Sequence, residues 1–167
     1  MILDVPTREE VEEVRRWRNE ELQFLRTPYR LTPEMQRNFY DTVISNRDSP
    51  HRYYGLYHDG EFVGFGGLTN IDYINGHTEV SLIIHPEHRG AGYGKEAVEL
   101  LLKEAYHSLR MNMVYGEVYR CGNWQFWEKI IANYGGHGAI LEDRKFWDGK
   151  YWDSIYFSLT KKQWRGL

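Results

Sequence analysis

The stretch His85-Pro86-Glu87-His88-Arg89-Gly90-Ala91-Gly92-Tyr93-Gly94-Lys95, or HPEHRGAGYGK, decides the fold. Before it, residues 78–84 (TEVSLII) end in a continuous apolar run that reads as a strand stopped by Pro86. After it, Val98, Leu101, Leu102 and Ala105 recur at the helical period, which predicts a helix over residues 95–109. A glycine-rich turn from strand to helix leaves backbone N–H groups unpaired at the positive end of a helix dipole. Without a Cβ in the way, a phosphate can approach that main chain closely, so the stretch predicts an anion cradle. Two phosphate loops are excluded by spacing. The nucleoside-triphosphate loop G-x-x-x-x-G-K-[ST] fails because Arg89 stands at its first glycine and Glu96 follows Lys95. The dinucleotide fingerprint G-x-G-x-x-G fails because Gly90, Gly92 and Gly94 alternate and no early β-α-β unit surrounds them.

Working outward, residues 9–21 carry Val11, Val14 and Trp17 three apart within a charged segment, predicting an amphipathic helix. Thr32 followed by Pro33 opens a second helix running to residue 45, with a loop at 27–31 between the two. Residues 53–57 and 61–68 read as strands joined by His58-Asp59-Gly60, a hairpin signal. Beyond the central helix, 111–118 reads as a strand and 123–133 as a short helix. Residues 140–147 and 151–159 read as a closing hairpin turned by Asp148-Gly149. Helices, then antiparallel strands, then alternating strands and helices predict a mixed α/β sheet covered by helices, within one domain spanning 1–167.

Composition narrows the partners. With 41% hydrophobic and 16% aromatic residues the chain can fill a core, and a net charge of -3 with no dense basic cluster argues against nucleic acid. A small molecule or peptide is the expected partner. Cys121 is the single cysteine, and neither a signal-peptide core nor a membrane-length apolar run is present, so a cytoplasmic setting without membrane contact is expected. His85 and His88 are two residues that could ligate metal, but Pro86 opposes a helix there and no third ligand is evident; no metal is expected.

A third phosphate pattern, R/Q-x-x-G-x-G/A, is met by Arg89, Gly92 and Gly94. It resembles the acyl-CoA pyrophosphate loop of the GNAT superfamily of N-acetyltransferases. The resemblance extends over nearly the whole chain and is nearest to the branch of ribosomal-protein-alanine and spermidine acetyltransferases. Arg15-Arg16-Trp17-Arg18-Asn19 is similar to that branch's first helix, residues 67–72 (GLTNID) to its third strand and turn, and residues 78–82 (TEVSL) to its fourth strand. Residues 148–155 (DGKYWDSI) with Gln163 and Trp164 are similar to its last hairpin.

What the resemblance implies is a GNAT-like, mostly antiparallel sheet with about four helices, splayed between its fourth and fifth strands, and acetyl-CoA as co-substrate. Leu82, Ile83 and Ile84 would offer backbone groups to pantetheine, and Arg89, Gly90, Ala91, Gly92, Tyr93, Gly94 and Lys95 would hold the pyrophosphate. Asn123 would contact the cofactor. Glu79 matches a strand-four glutamate that serves as base in some members, although the residues alone equally allow a structural glutamate. The family's usual tyrosine, seven residues after the asparagine, is replaced by Ile130; Tyr134 is the phenol one turn further along that face. Trp17, Tyr29, Asp72 and Tyr73 are the candidates for the acceptor side. The function implied is acetyl transfer to a primary amine of a peptide, polyamine, amino sugar or other small molecule, by a monomer or homodimer. A non-catalytic acyl-CoA-binding module is the alternative.

Overall fold

The structure, a computed structural model, describes residues 1–164; the last three positions of the expected 1–167 domain lie outside the described residues. Seven strands form one sheet in the order β1-β2-β3-β4-β5-β7-β6. These are β1 (Ile2–Asp4), β2 (Arg52–His58), β3 (Glu61–Asp72), β4 (His77–Ile84), β5 (Met113–Tyr119), β6 (His137–Trp147) and β7 (Lys150–Thr160). Neighbours pair antiparallel except β4 and β5, which run parallel. The short β1 carried no signal in the sequence; three residues are too few to show a period.

The two hairpins turn as their Asp-Gly pairs require. Asp59 and Gly60, at φ 50° and 84°, and Asp148 and Gly149, at 50° and 78°, both take the left-handed geometry that matches the twist of paired strands.

Four helices cover the sheet: α1 (Arg8–Glu20), α2 (Pro33–Phe39), α3 (Tyr93–Lys103) and α4 (Trp124–Tyr134). α1 starts in a capping box, with Thr7 Oγ1 accepting from Glu10 N–H and Glu10 accepting from Thr7 N–H. α2 is shorter than its periodicity implies because residues 40–44 widen into a π turn, and α3 likewise runs into a π turn at 104–108. α3 begins at Tyr93 rather than Lys95: Gly92 takes the cap position, so Gly94 and Lys95 belong to the first turn.

The alternation of β-strand side chains divides the core. Val11, Val14 and Trp17 of α1 pack on Phe65, with Ile83 alongside, on one face of the sheet. On the other face Val98, Leu101 and Leu102 of α3 and Ile130 and Ile131 of α4 pack on Leu68, Val80, Val114 and Phe157. β3 makes room for α3 at Gly66, where a Cβ would lie 3.0 Å from the Leu101 side chain. Leu101 is wholly buried in this layer. Leu101→Ala is expected to cost about 2–5 kcal/mol of stability, read as a lowered urea midpoint with an unchanged slope.

Candidate active site

β4 and β5 are paired only at His77 with Met113, Thr78 with Val114 and Glu79 with Tyr115. Beyond that point β4 stays with β3 as far as Ile84, while β5 stays with β7 as far as Tyr119. The strands therefore diverge, and their facing edges line a cavity of about 970 Å³. Leu82, Ile83 and Ile84 form one wall and Gly116 and Val118 the other, with the glycine loop and Asn123 at one end.

At that end the loop has the chemistry of an anion site. Gly90 and Gly92 stand at φ 84° and 90°, and a Cβ built on either would meet nothing within 4 Å, so these glycines keep space open rather than fill it. Thr7 and Thr32 cap α1 and α2, whereas α3 has no side-chain cap, and the N–H groups of Gly92, Tyr93 and Gly94 find no acceptor among the described residues. Unpaired amides at a helix N-terminus fit a phosphate group. Arg89 is held beside them through Ile84 O at 3.0 Å and a two-point ion pair with Glu21. Lys95 is exposed, Ala91 is exposed, and the Tyr93 ring lies against His58 at 4.7 Å. Asn123 caps α4 without a side-chain hydrogen bond of its own, and it lines the cavity.

At the apex of the split sits Glu79, only 7% exposed. Arg26, from the segment between α1 and α2, donates from Nη1 to Glu79 Oε2 at 3.1 Å and from Nη2 to Oε1, and its Nε lies 3.6 Å from Glu117 Oε2. Asn70 Nδ2 donates to Glu79 Oε2 at 3.0 Å. That contact depends on a bulge in β3, where Asn70 takes φ 50° and gives its N–H to His51 Nδ1. Glu117, on β5, accepts from Arg144 Nε at 2.9 Å and from Ser154 Oγ at 2.7 Å. Burial works against the charge of Arg26, but the hydrogen bonds and charge of Glu79 outweigh it and hold the guanidinium above its ordinary pKa. Burial together with the Glu117 charge pushes the neighbouring Tyr119 phenol up. Lys145 Nζ, from β6, ties the Arg26 segment down by donating to Leu22 O at 2.8 Å and to Leu25 O.

The Acetyltransferase (GNAT) domain model matches residues 1–121. The chain belongs to the GNAT acetyltransferase family. It is 33% identical over 117 residues to the YdaF protein of Bacillus subtilis, named as a ribosomal N-acetyltransferase; the match spans 67% of this chain and 61% of that protein. It is 25% identical over 136 residues to the p20 protein of Bacillus licheniformis, named as an N-acetyltransferase, covering 81% of this chain and 69% of the relative. In fold it resembles the spermidine N-acetyltransferase of Vibrio cholerae crystallised with CoA and spermine, at a TM-score of 0.81 and 20% identity over 97% of this chain and 96% of that one. Mutant forms of the spermidine/spermine N-acetyltransferase SpeG from the same organism align at a TM-score of 0.83 and 18% identity, over 97% and 94% of the two chains. GNAT acetyltransferases use acetyl-CoA as the acyl donor, and the open amides of the glycine loop suit its phosphates.

For a GNAT domain, several residues read from the sequence lie away from the cavity. Tyr134 is at the far end of α4, where its hydroxyl donates to Glu99 Oε1 at 3.1 Å; burial and the Glu99 charge push its phenol up to about 12. Ile130, at the position of the family's usual tyrosine, is buried in the core. Trp17 stacks on Phe62 in the layer under α1. Tyr29 and Tyr73 are exposed, and Asp72 is spent on its own turn, accepting from Ile74 N–H and Asn75 N–H at 2.9 Å each. Aromatic character alone did not separate core from cavity wall. Cys121 gives its thiol to Gln23 O at 3.3 Å, and burial pushes that thiol up, the opposite of a nucleophile's need.

The polar residues Arg26, His51, Asn70 and Glu117, which line the cavity, were not singled out from sequence. Glu117 had a signal: Tyr115, Glu117 and Tyr119 alternate on one face of β5. Gly92→Val is expected to weaken CoA binding about tenfold or more by blocking close approach to the amides, while Gly135→Val, strained in the same left-handed region at the far end of α4, leaves it unchanged. Isothermal titration with CoA reads both.

Proposed function

We propose that this chain transfers an acetyl group from acetyl-CoA to a primary amine while both substrates are bound. The observation that carries the reading is the placement of Glu79: a buried carboxylate stands where β4 and β5 part, with an open anion cradle on one side and a polar, aromatic-lined entry on the other. A thioester reaching from the cradle along Leu82, Ile83 and Ile84 would present its carbonyl close to that carboxylate. The unpaired edge of β4 supplies N–H groups for the charge that develops on the carbonyl oxygen.

In this chemistry Glu79 takes a proton from the ammonium form of the acceptor, directly or through water. The freed amine nitrogen forms the bond to the thioester carbon, the carbon–sulfur bond breaks, and the second nitrogen proton goes to the departing thiolate or to solvent. Tyr134 has no part in this because its hydroxyl is engaged by Glu99, outside the cavity. Holding amine and thioester together supplies much of the rate, so a strong general acid is not required. The names of the relatives, a ribosomal N-acetyltransferase and a spermidine N-acetyltransferase crystallised with spermine, support an amine acceptor of the peptide or polyamine kind.

The buried Ile130, in place of the family's tyrosine, favours a second reading in which the domain binds acyl-CoA without turnover. Incubation with acetyl-CoA and a panel of amines, peptides and amino sugars separates the two: catalysis releases free CoA, and tight CoA binding with no release across the panel supports the binding module. Glu79→Gln is expected to lower kcat/KM on the order of 10²-fold at neutral pH. The loss should shrink as pH rises and more of the amine is already free; a variant with the wild-type pH–rate profile removes Glu79 as the base.

A further inference from the structure

The segment between α1 and α2 brings a charge to each end of the cavity. Glu21 pairs with Arg89 beside the phosphate cradle, and Arg26 pairs with Glu79 and Glu117 at the apex. At each end the segment supplies the charge sign that a substrate would bring, an anion beside the cradle and a cation between the carboxylates.

We propose that Arg26 is a built-in stand-in for the acceptor: its guanidinium occupies the place of a cationic amine between Glu79 and Glu117, and the acceptor binds by displacing it. The inference rests on the acetyl-transfer reading above and names the class of acceptor that the site admits.

Three observations carry it. With Arg26 in place, both oxygens of Glu79 are engaged by donors, Nη1 and Nη2 of Arg26 and Nδ2 of Asn70. A guanidinium does not give up its proton, and with Arg26 and Asn70 on both oxygens an incoming ammonium has no contact with Glu79, so the carboxylate can serve an acceptor only once Arg26 has left. The second observation is an asymmetry of burial. The side chains of Glu79 and Glu117 are 9% and 3% exposed on paired strands, whereas that of Arg26 is 50% exposed on an irregular segment, so the carboxylates are fixed and the cation is the movable partner. Third, Glu117 keeps Arg144 and Ser154 when Arg26 departs. Two carboxylates against the single remaining Arg144 leave one net negative charge, which one ammonium neutralises. A neutral or anionic acceptor would leave buried charge unpaired, which is costly. The exchange therefore selects an alkylammonium group and keeps Glu79 silent until one arrives.

The test uses the full chain with CoA bound, so that its readout does not depend on turnover. Isothermal titration with 1,4-diaminobutane should show Arg26→Gln binding about tenfold more tightly than wild type, because the site no longer has to be vacated first. Arg26→Lys, which retains a competing cation, should stay near wild type. Methylguanidinium should bind Arg26→Gln and compete with the diamine, and adding Glu79→Gln should remove the gain. Circular dichroism confirms that each variant is folded. Equal or weaker diamine binding by Arg26→Gln, or a gain that persists with Glu79→Gln, overturns the proposal. Wild-type turnover of amines without the Arg26→Gln gain rejects the stand-in and keeps the acetyl-transfer reading. The gain without turnover in any variant does the reverse.

Discussion

The hydrogen-bond ladder between β4 and β5 stops after three residue pairs, and the site depends on that stop. A strand that loses one ladder must keep the other, and both do: β4 holds to β3 and β5 to β7 along their remaining lengths. The parting therefore exposes one edge of each strand without freeing either. Backbone groups left in this way need partners from water or from a ligand, which makes the split itself a binding feature. The helices respect it. α3 packs on β3 and β4 and α4 on β5 and β7, so the gap in the sheet continues between the helices above it.

Charge is distributed along the gap with opposite sign at its two ends. The uncapped N-terminus of α3 and Arg89 make one end suited to an anion, while Glu79 and Glu117 make the apex suited to a cation. Those two carboxylates are nearly buried, and such groups persist only when paired. Their partners come from different parts of the chain, Arg26 and Asn70 for Glu79 and Arg144 and Ser154 for Glu117, so the apex knits five strands and the α1–α2 segment around one small volume.

The fold was legible in the sequence wherever periodicity or turn chemistry was strong. The Asp59-Gly60 and Asp148-Gly149 hairpins, the Thr32-Pro33 helix start and the Val98 to Ala105 stripe are local signals, and each element formed where its residues implied. Boundaries were less legible because Gly92 could be taken for loop or cap, and the structure makes it the cap of α3. The glycine loop was legible because its demand is on the backbone, which glycine reports directly. The apex around Glu79 was not. Arg26 meets Glu79 across a sequence separation of 53 residues, and Asn70 reaches it only because β3 bulges, so neither contact leaves a local pattern. Of the acceptor-side candidates, Trp17 is buried under α1, and Tyr29 and Tyr73 are exposed outside the cavity lining, a distinction that sequence alone does not carry.

Lys145 has a consequence that reaches beyond its two hydrogen bonds. It belongs to β6, past the end of the stretch matched by the family model at residue 121, yet it holds the carbonyls of Leu22 and Leu25 near the chain's beginning. The segment that carries Arg26 is thus held from the terminal hairpin, while the glycine loop lies within the matched region. A change in the terminal hairpin can therefore shift the segment that carries Arg26, and with it the apex, while the backbone of the glycine loop stays as it is.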